Sequence, residues 1–283
     1  MQNAVPSWLR AILGKDEFAW LAGVVRDTCG IALTPGKRTM LEGRLRRRLR
    51  ARELDTFAEY VRLLHDPEIR ICELQELVDA VTTNQTSFFR EPAHFDYLAG
   101  EGLARLLPDA AGRPLRAWSA ACSSGEECYT LAMVLAETAP ERVASGFSIL
   151  GTDISLIVLR KATRAIYSET AVAPVPAPLR ARYLLRARDH GLGLVRVVSE
   201  LRRMTRFGHL NLTDQTYRLP QPFDLIFCRN VLIYFAPPLQ RFILEQLCRH
   251  LRPGGILCLG HADTTSATKL PLRLLRANIY ERL

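Results

Sequence analysis

The chain has 283 residues, 48% of them hydrophobic, with a mean hydropathy near zero and a formal net charge of +9. That is enough apolar material for one large or two modest folded domains, and it argues against disorder. No apolar run reaches the roughly 18 residues a membrane span needs. Residues 1–15 lack the basic start, apolar stretch and small-residue cleavage site of a secretory signal, so a soluble, cytoplasmic protein is expected. Seven cysteines form no CxxC pair and six histidines no HxxxH or Cys/His cluster. No metal site is therefore expected, and the cysteines read as reduced thiols.

Residues 1–90 read as a small all-helical domain. Phe18, Leu21, Val24 and Val25 recur at helical spacing, with Gly30 as a stop just beyond. Met40, Leu41, Leu45 and Leu49 give the next helix one apolar face. That helix is strongly basic: Lys37, Arg38, Arg44, Arg46, Arg47, Arg48, Arg50 and Arg52 crowd a segment whose one acid is Glu42. Such a cluster attracts an acidic partner, and nucleic acid, anionic lipid and an acidic protein surface all qualify. Thr56 followed by Glu59 predicts a capping box for a helix carrying Phe57, Tyr60, Val61 and Leu64. Asp66-Pro67 starts a further helix, with Ile71, Leu74, Leu77, Val78 and Val81 expected inward.

Residues 91–283 read as an α/β domain. Strands are predicted at 115–120, 148–152, 223–228 and 256–260, each two-sided and apolar. Helices are predicted between them at 126–138, 155–167 and 238–250, with Pro253-Gly254-Gly255 as a turn. Alternation of this kind indicates a doubly wound, mostly parallel, Rossmann-like sheet covered by helices. A stretch beginning at Ala171 breaks the rhythm with Pro174, Pro176 and Pro178. There Leu194–Val198 and Leu201–Phe207 look like a hairpin, so a small antiparallel β insertion is expected at about 171–210.

Three βα junctions carry the chemistry. Ser123-Ser124-Gly125, ahead of Glu126-Glu127, puts small residues and helix amides where a ligand could approach; an ordinary loop with acids facing the helix dipole is the plain alternative. Asp153 ends the second strand, where an acid accepts from ribose hydroxyls in nucleotide-binding folds, or else caps the following helix. Arg229-Asn230 follow the third strand, at the edge where open sheets bind ligands. By themselves Thr82-Thr83-Asn84 reads as a helix cap, Phe88-Phe89 as a core anchor, and Tyr234 as a core aromatic.

Together, Thr82-Thr83-Asn84-Gln85-Thr86-Ser87-Phe88-Phe89-Arg90, Trp118 to Glu127 and Phe223 to Phe235 resemble the CheR-type family of methyltransferases. These enzymes use S-adenosyl-L-methionine to esterify glutamates of chemotaxis receptors. The likeness runs from about Phe18 to Tyr280. It implies methyl transfer by in-line displacement, with S-adenosyl-L-homocysteine as product and Arg90 and Tyr234 as the catalytic pair. Arg90 would face the incoming carboxylate, and Tyr234 would sit near the methyl.

The resemblance also implies a cofactor site of Asn84, Thr86, Arg90, Glu127 (on the α-amino group), Asp153 (on the ribose), Asn211 and Leu212 (on the adenine), Arg229 and Asn230. It places the tail, 272–283, antiparallel at one sheet edge. The partner implied is the acidic helical methylation region of a chemoreceptor, docked by Arg44, Arg46, Arg47 and Arg50 on a monomeric enzyme. An RNA methyltransferase using the basic helix is the alternative, although no Asn/Asp-Pro-Pro-aromatic or Pro-Cys motif supports it. Two departures from the family pattern stand out. Cys128 replaces a common Pro, and His261-Ala262-Asp263 stands where His-Ser-Glu is usual.

Overall fold

Local signals in the first part of the chain become helices. In the computed structural model, which describes residues 6–106, 113–138, 146–220, 222–263 and 270–283, these are α1 (Ser7–Arg10), α2 (Lys15–Cys29), α3 (Arg38–Ala51), α4 (Phe57–His65) and α5 (Pro67–Val81). Gly30 ends α2 in the left-handed region at φ 72°, its N–H bonded to the Arg26 carbonyl. Thr56 and Glu59 form the full capping box of α4, and Asp66 caps α5 ahead of Pro67. Residues up to Thr83, with Tyr234–Ala236, form one compact unit; Asn84–Ile233 with Pro237–Leu283 form the other.

Leu41, Leu45 and Leu49 of α3 are fully buried, as their spacing predicts, but α5 departs from expectation. Ile71 is 78% exposed and Leu74 only half-buried, while Glu73 is completely buried. Leu77 and Val81 follow Glu73 at four-residue steps on the same face; Ile71, two residues back, lies roughly 200° round the helix. A carboxylate occupies that face because α3 supplies its partners. Arg48 donates Nε and Nη2 to Glu73 at 2.8 and 2.9 Å, Arg52 Nε donates at 2.8 Å, and the Tyr60 hydroxyl donates at 2.9 Å. Arg48 and Arg52 of the basic run are therefore structural charge.

In the second unit, α6 (Ala93–Tyr97) passes through a wider turn at 98–102 into α7 (Leu103–Leu106). The strands are β1 (Leu115–Ala120), β2 (Phe147–Asp153), β3 (Ile166–Ser168), β4 (Leu184–Arg186), β5 (Leu194–Val197), β6 (Thr205–His209), β7 (Phe223–Cys228), β8 (Leu251–Leu259), β9 (Leu272–Arg276) and β10 (Ile279–Arg282). The helices are α8 (Glu126–Thr138), α9 (Leu156–Arg164), α10 (Ala177–Tyr183), α11 (Ser199–Met204) and α12 (Pro237–His250). The main sheet runs β6-β2-β1-β7-β8-β10-β9. From β6 to β8 it is parallel, and β10 then pairs antiparallel with β8 and with β9. The antiparallel edge implied for the tail is present.

The expected hairpin of 194–198 with 201–207 does not form. β5 pairs instead with β3 and β4 in a small antiparallel sheet. Residues 199–204 are helical, and β6 joins the main sheet beside β2. The helix expected to reach Tyr167 ends at Arg164 because Ala165 turns left-handed, at φ 55°. Pro253-Gly254-Gly255 lies inside β8, where the pairing with β7 shifts register between Phe223 and Leu225, so it acts as a bulge and not as a turn.

At the start of β7, Asp224 is completely buried and accepts from Arg113 at 2.9 and 2.6 Å, from Arg252 Nε at 2.6 Å and from the Arg116 amide at 2.8 Å. This cluster closes the end of the sheet away from the functional junctions. Chain order moves outward from β1 to β2 and β6 on one side, then restarts at β7 and β8 on the other. The switch point thus lies between the carboxyl ends of β1 and β7, where open α/β sheets form their ligand crevice.

Glu73 supplies the sharpest test of the helical unit. Burial opposes its ionisation, but the bonds from Arg48, Arg52 and Tyr60 outweigh that and hold its pKa below the ordinary value. Its stabilisation is therefore full above the unfolded-state pKa and is lost as pH falls through the lower folded-state value. Glu73→Ala, which strips Arg52 and the Tyr60 hydroxyl of their shared carboxylate and leaves Arg48 with Glu76 alone, should cost about 3 kcal/mol at neutral pH and flatten the acid limb of a stability-against-pH curve. A denaturant melt of the variant at pH 7 and at pH 3 checks both.

Candidate functional site

Strained backbone marks where the second unit has been bent to a purpose. Eight described non-glycine residues have positive φ, and five of them, Phe89, Glu91, Ala121, Ser123 and Asn230, sit in three loops. These loops are the segment before α6, the β1–α8 junction and the β7 exit. Conformations of this kind persist only where surroundings over-determine them. In the β1–α8 junction Gly125 stands at φ 93°, and a Cβ there would lie 2.8 Å from that of Ala162. Only glycine lets the loop close over α9 in this way.

One over-determining group, shared by two of these loops and the start of α8, is Arg229. Its side chain is 1% exposed. One Nη donates to Glu127 at 2.9 Å; the other donates to Glu91 at 3.0 Å and to the Arg90 carbonyl. Its guanidinium also lies over the rings of Phe95 and Phe227, 5.4 and 5.7 Å from their centroids. A single buried cation therefore ties the β7 exit to α8 and to the segment before α6. Glu127 accepts further from Ser119 Oγ at 2.8 Å, so each of its oxygens holds one bond. A carboxylate has lone pairs for about four donors, which leaves room for a ligand ammonium.

Asp153, at the end of β2, is 6% exposed. One oxygen accepts the Ser123 amide at 2.9 Å and the other the Ser155 amide at 2.9 Å. The cap of α9 is Ser155 itself, so Asp153 braces the β1 loop against the β2 loop and is not the helix cap. Ser123 Oγ reaches back to the Asn84 carbonyl at 2.9 Å. Asn211 accepts from the Thr213 amide and hydroxyl at 3.0 and 2.9 Å in a tight turn after β6, and Leu212 beside it is buried. Arg90 is half-buried with Nη1 on the Gln85 carbonyl at 2.8 Å, and Thr86 is half-buried within that loop.

The sheet unit thus gathers Asn84, Thr86, Arg90, Glu127, Asp153, Asn211, Leu212, Arg229 and Asn230 on loops at the carboxyl ends of β1, β2, β6 and β7 and on the segment before α6. Arg229 itself is too enclosed to be a simple ligand contact; it holds the acids in place. Tyr234 ends the turn 232–234 and belongs with the helical unit, its carbonyl accepting the Ala32 amide at 3.3 Å. The docking arginines divide. Arg44 donates to the Ala80, Val81 and Thr82 carbonyls at 3.4, 2.7 and 3.0 Å, closing the end of α5. Arg46 bonds the Ala11 carbonyl and Glu42 at 3.2 and 2.7 Å. Arg47 and Arg50 face solvent, Arg50 over the Trp8 ring. Arg44 and Arg46 are structural first.

Three residues escaped the sequence reading. Glu91 accepts from Arg229 and, at 3.0 Å, from Asn230 Nδ2. The signal was its place directly after Arg90. Asp263 accepts the Gly260 and Ile233 amides at 3.1 and 3.2 Å, and also that of Asn230. The role of the 261–263 loop is thereby visible: it cradles the β7 exit. Burial raises the Asp263 pKa, against those amide bonds. Gly260 must stay bare, since a Cβ would lie 2.5 Å from the Asn230 nitrogen. His94, 1% exposed, has its pKa pushed down to about 4, chiefly by burial and then by Arg229. Cys128, the other departure, is fully buried against Gly151, a core position that needs no ring.

The donor set fits S-adenosylmethionine: a braced acid with spare lone pairs for an ammonium, a second acid at a strand end for ribose, and a glycine turn for close approach. Comparison with known proteins agrees. The family model described as CheR methyltransferase, SAM binding domain, matches residues 84–280, and the CheR methyltransferase all-alpha domain matches residues 16–82. A chemotaxis protein methyltransferase of Escherichia coli is 37% identical, over 96% of this chain and 92% of its own. One from Borreliella burgdorferi is 37% identical over 90% of both chains. Chemotaxis protein methyltransferase 2 of Pseudomonas aeruginosa is 40% identical over 89% of this chain and 87% of its own.

Proposed function

The chain belongs to the CheR methyltransferase family, and on that footing we propose that it transfers a methyl group from S-adenosylmethionine to glutamate carboxylates of a chemoreceptor. The observation that carries this reading is the convergence of Glu127, Asp153 and the Arg229-Asn230 turn at the switch point, inside the matched segment. Glu127 would hold the cofactor's amino group, Asp153 its ribose hydroxyls, and Asn211 with Leu212 its adenine, with Asn84 and Thr86 beside it. When bound, S-adenosylmethionine supplies the methyl on a sulfonium and leaves as S-adenosylhomocysteine.

The remaining work falls to positioning. A glutamate carboxylate, with a reference pKa of about 4.3, is already anionic at neutral pH, so the acceptor needs no general base. Arg90 would orient that carboxylate, and Tyr234 would help place it. Keeping the acceptor close and partly desolvated is then the main source of rate. The product is a γ-glutamyl methyl ester, which removes one negative charge from the receptor.

The receptor surface is proposed to be an acidic helical region, docked by the arginines that α3 leaves exposed, Arg47 and Arg50. The nucleic-acid alternative loses ground for the same reason that narrows the docking set. Arg44, Arg46, Arg48 and Arg52 are engaged within the helical unit, so the one-signed surface is smaller than the sequence suggests. Among the described residues no helix is long and apolar enough to cross a membrane.

Incubation with methyl-labelled cofactor and either a receptor signalling fragment or RNA tests the activity directly. Base-labile label on glutamates of the receptor is expected, and label on RNA alone would refute the reading. Asp153→Ala should lose about 1–3 kcal/mol of S-adenosylhomocysteine affinity by calorimetry. Reversal of Arg47 and Arg50 to Glu should raise the apparent KM for receptor several-fold, mostly through slower association and most clearly at low salt. Cofactor affinity should not change.

A further inference from the structure

Spacing along the chain gives no metal motif, yet the fold brings Glu91, His94 and His261 together. Their candidate ligand atoms all lie within 4.8 Å of one another. We propose that these three side chains form a binding site for a divalent transition-metal ion of the zinc class. Glu91, left-handed at φ 54°, lies just ahead of α6, and its carbonyl accepts the amide of His94 in the first turn at 3.2 Å. His261 arrives from the loop after β8, 170 residues from Glu91.

The candidate ligand atoms stand slightly farther apart than the donors around a bound ion would. His94 Nδ1 is 3.6 Å from Glu91 Oε2, too long for a hydrogen bond, and His261 Nε2 is 4.0 Å from the same oxygen. Tetrahedral bonds of about 2.0 Å to N and O ligands would set neighbouring donors about 3.3 Å apart, so small side-chain movements complete the geometry.

His94 points independently to a ligand. It is 1% exposed, and among the described residues neither of its ring nitrogens has a hydrogen-bond partner. A buried imidazole left in this way is costly, and an ion is one of the few groups that could satisfy it. Its ring stands edge-on to that of His261, with centroids 5.4 Å apart.

The surroundings suit a weak, exchangeable ion. His261 is exposed, so the site is open on one side and could take water as a further ligand. Glu91 Oε1 is oriented by Asn230 Nδ2 at 3.0 Å and the His261 amide at 3.5 Å, the kind of support that fixes a ligating carboxylate. Two imidazoles and one carboxylate favour zinc, cobalt, nickel or copper over magnesium or calcium. Arg229 also uses Oε2, so the ion must compete with a buried guanidinium, which limits affinity.

Cobalt(II) titration of the full chain, in a Cys72→Ser background that removes the exposed thiol, tests the proposal through visible absorption. The metal is the only probe, so the outcome does not depend on the methyl-transfer reading. Four-coordinate d–d bands that saturate at one equivalent and vanish on adding zinc are expected. His261→Ala should weaken binding at least about tenfold with an unchanged melting temperature. His261→Cys should restore binding and add a thiolate-to-cobalt charge-transfer band. Binding unaffected by His261→Ala would overturn the proposal, as would the absence of saturable binding.

Discussion

Everything at the carboxyl edge of the sheet hangs on the enclosed charge of Arg229. A guanidinium that is 1% exposed cannot remain unpaired, and its planar fork reaches Glu127, Glu91 and the Arg90 carbonyl together. Those three groups lie on two segments, Arg90 with Glu91 ahead of α6 and Glu127 at the start of α8, whose loops include left-handed residues at Phe89, Glu91, Ala121 and Ser123. The energetic need to satisfy one cation helps to hold those loops in conformations they would not choose alone, together with Asp153 on the Ser123 amide. On this account the Glu127 carboxylate is aimed by bonds from within the protein itself.

The same economy of charge governs the helical unit. Glu73 takes an inward place on α5 that Ile71 and Leu74 were expected to fill, because Arg48 of α3 and Arg52 just beyond it turn inward to meet it. Arg44 closes the end of α5. A run of arginines that reads as a docking surface is thus divided between internal bonds and solvent, and only Arg47 and Arg50 of the proposed docking set are left to act at long range.

Much of this was legible in the sequence. Two-sided apolar strands at 115–120 and 223–228, and the alternation around them, required a parallel sheet, and the caps at Thr56 and Asp66 are local signals that nothing distant overrides. The hairpin at 194–207 failed because residues 199–204 could form a helix, and Thr205–His209 found a better partner in β2. Pairing choice is a property of the whole sheet and leaves little local trace. Asp153 and Asn230 could be picked out as strand-end residues, and Glu127, in the first turn of α8, through the family resemblance. His94 could not, nor could the bonds of Glu91 to Arg229 and of Asp263 to Asn230, which span 138 and 33 residues. Periodicity carries no signal at such range.

The central claim is that Arg229 prepares the cofactor site by holding Glu127 and Glu91 in one arrangement. The most direct measurement is the affinity of Arg229→Lys for S-adenosylhomocysteine, set beside its thermal melt. Lysine keeps the charge but cannot fork to all three acceptors. The account predicts at least a tenfold loss of affinity, about 1.4 kcal/mol, with a melting temperature within a few degrees of the parent. Parent-like affinity in a folded Arg229→Lys protein would contradict it.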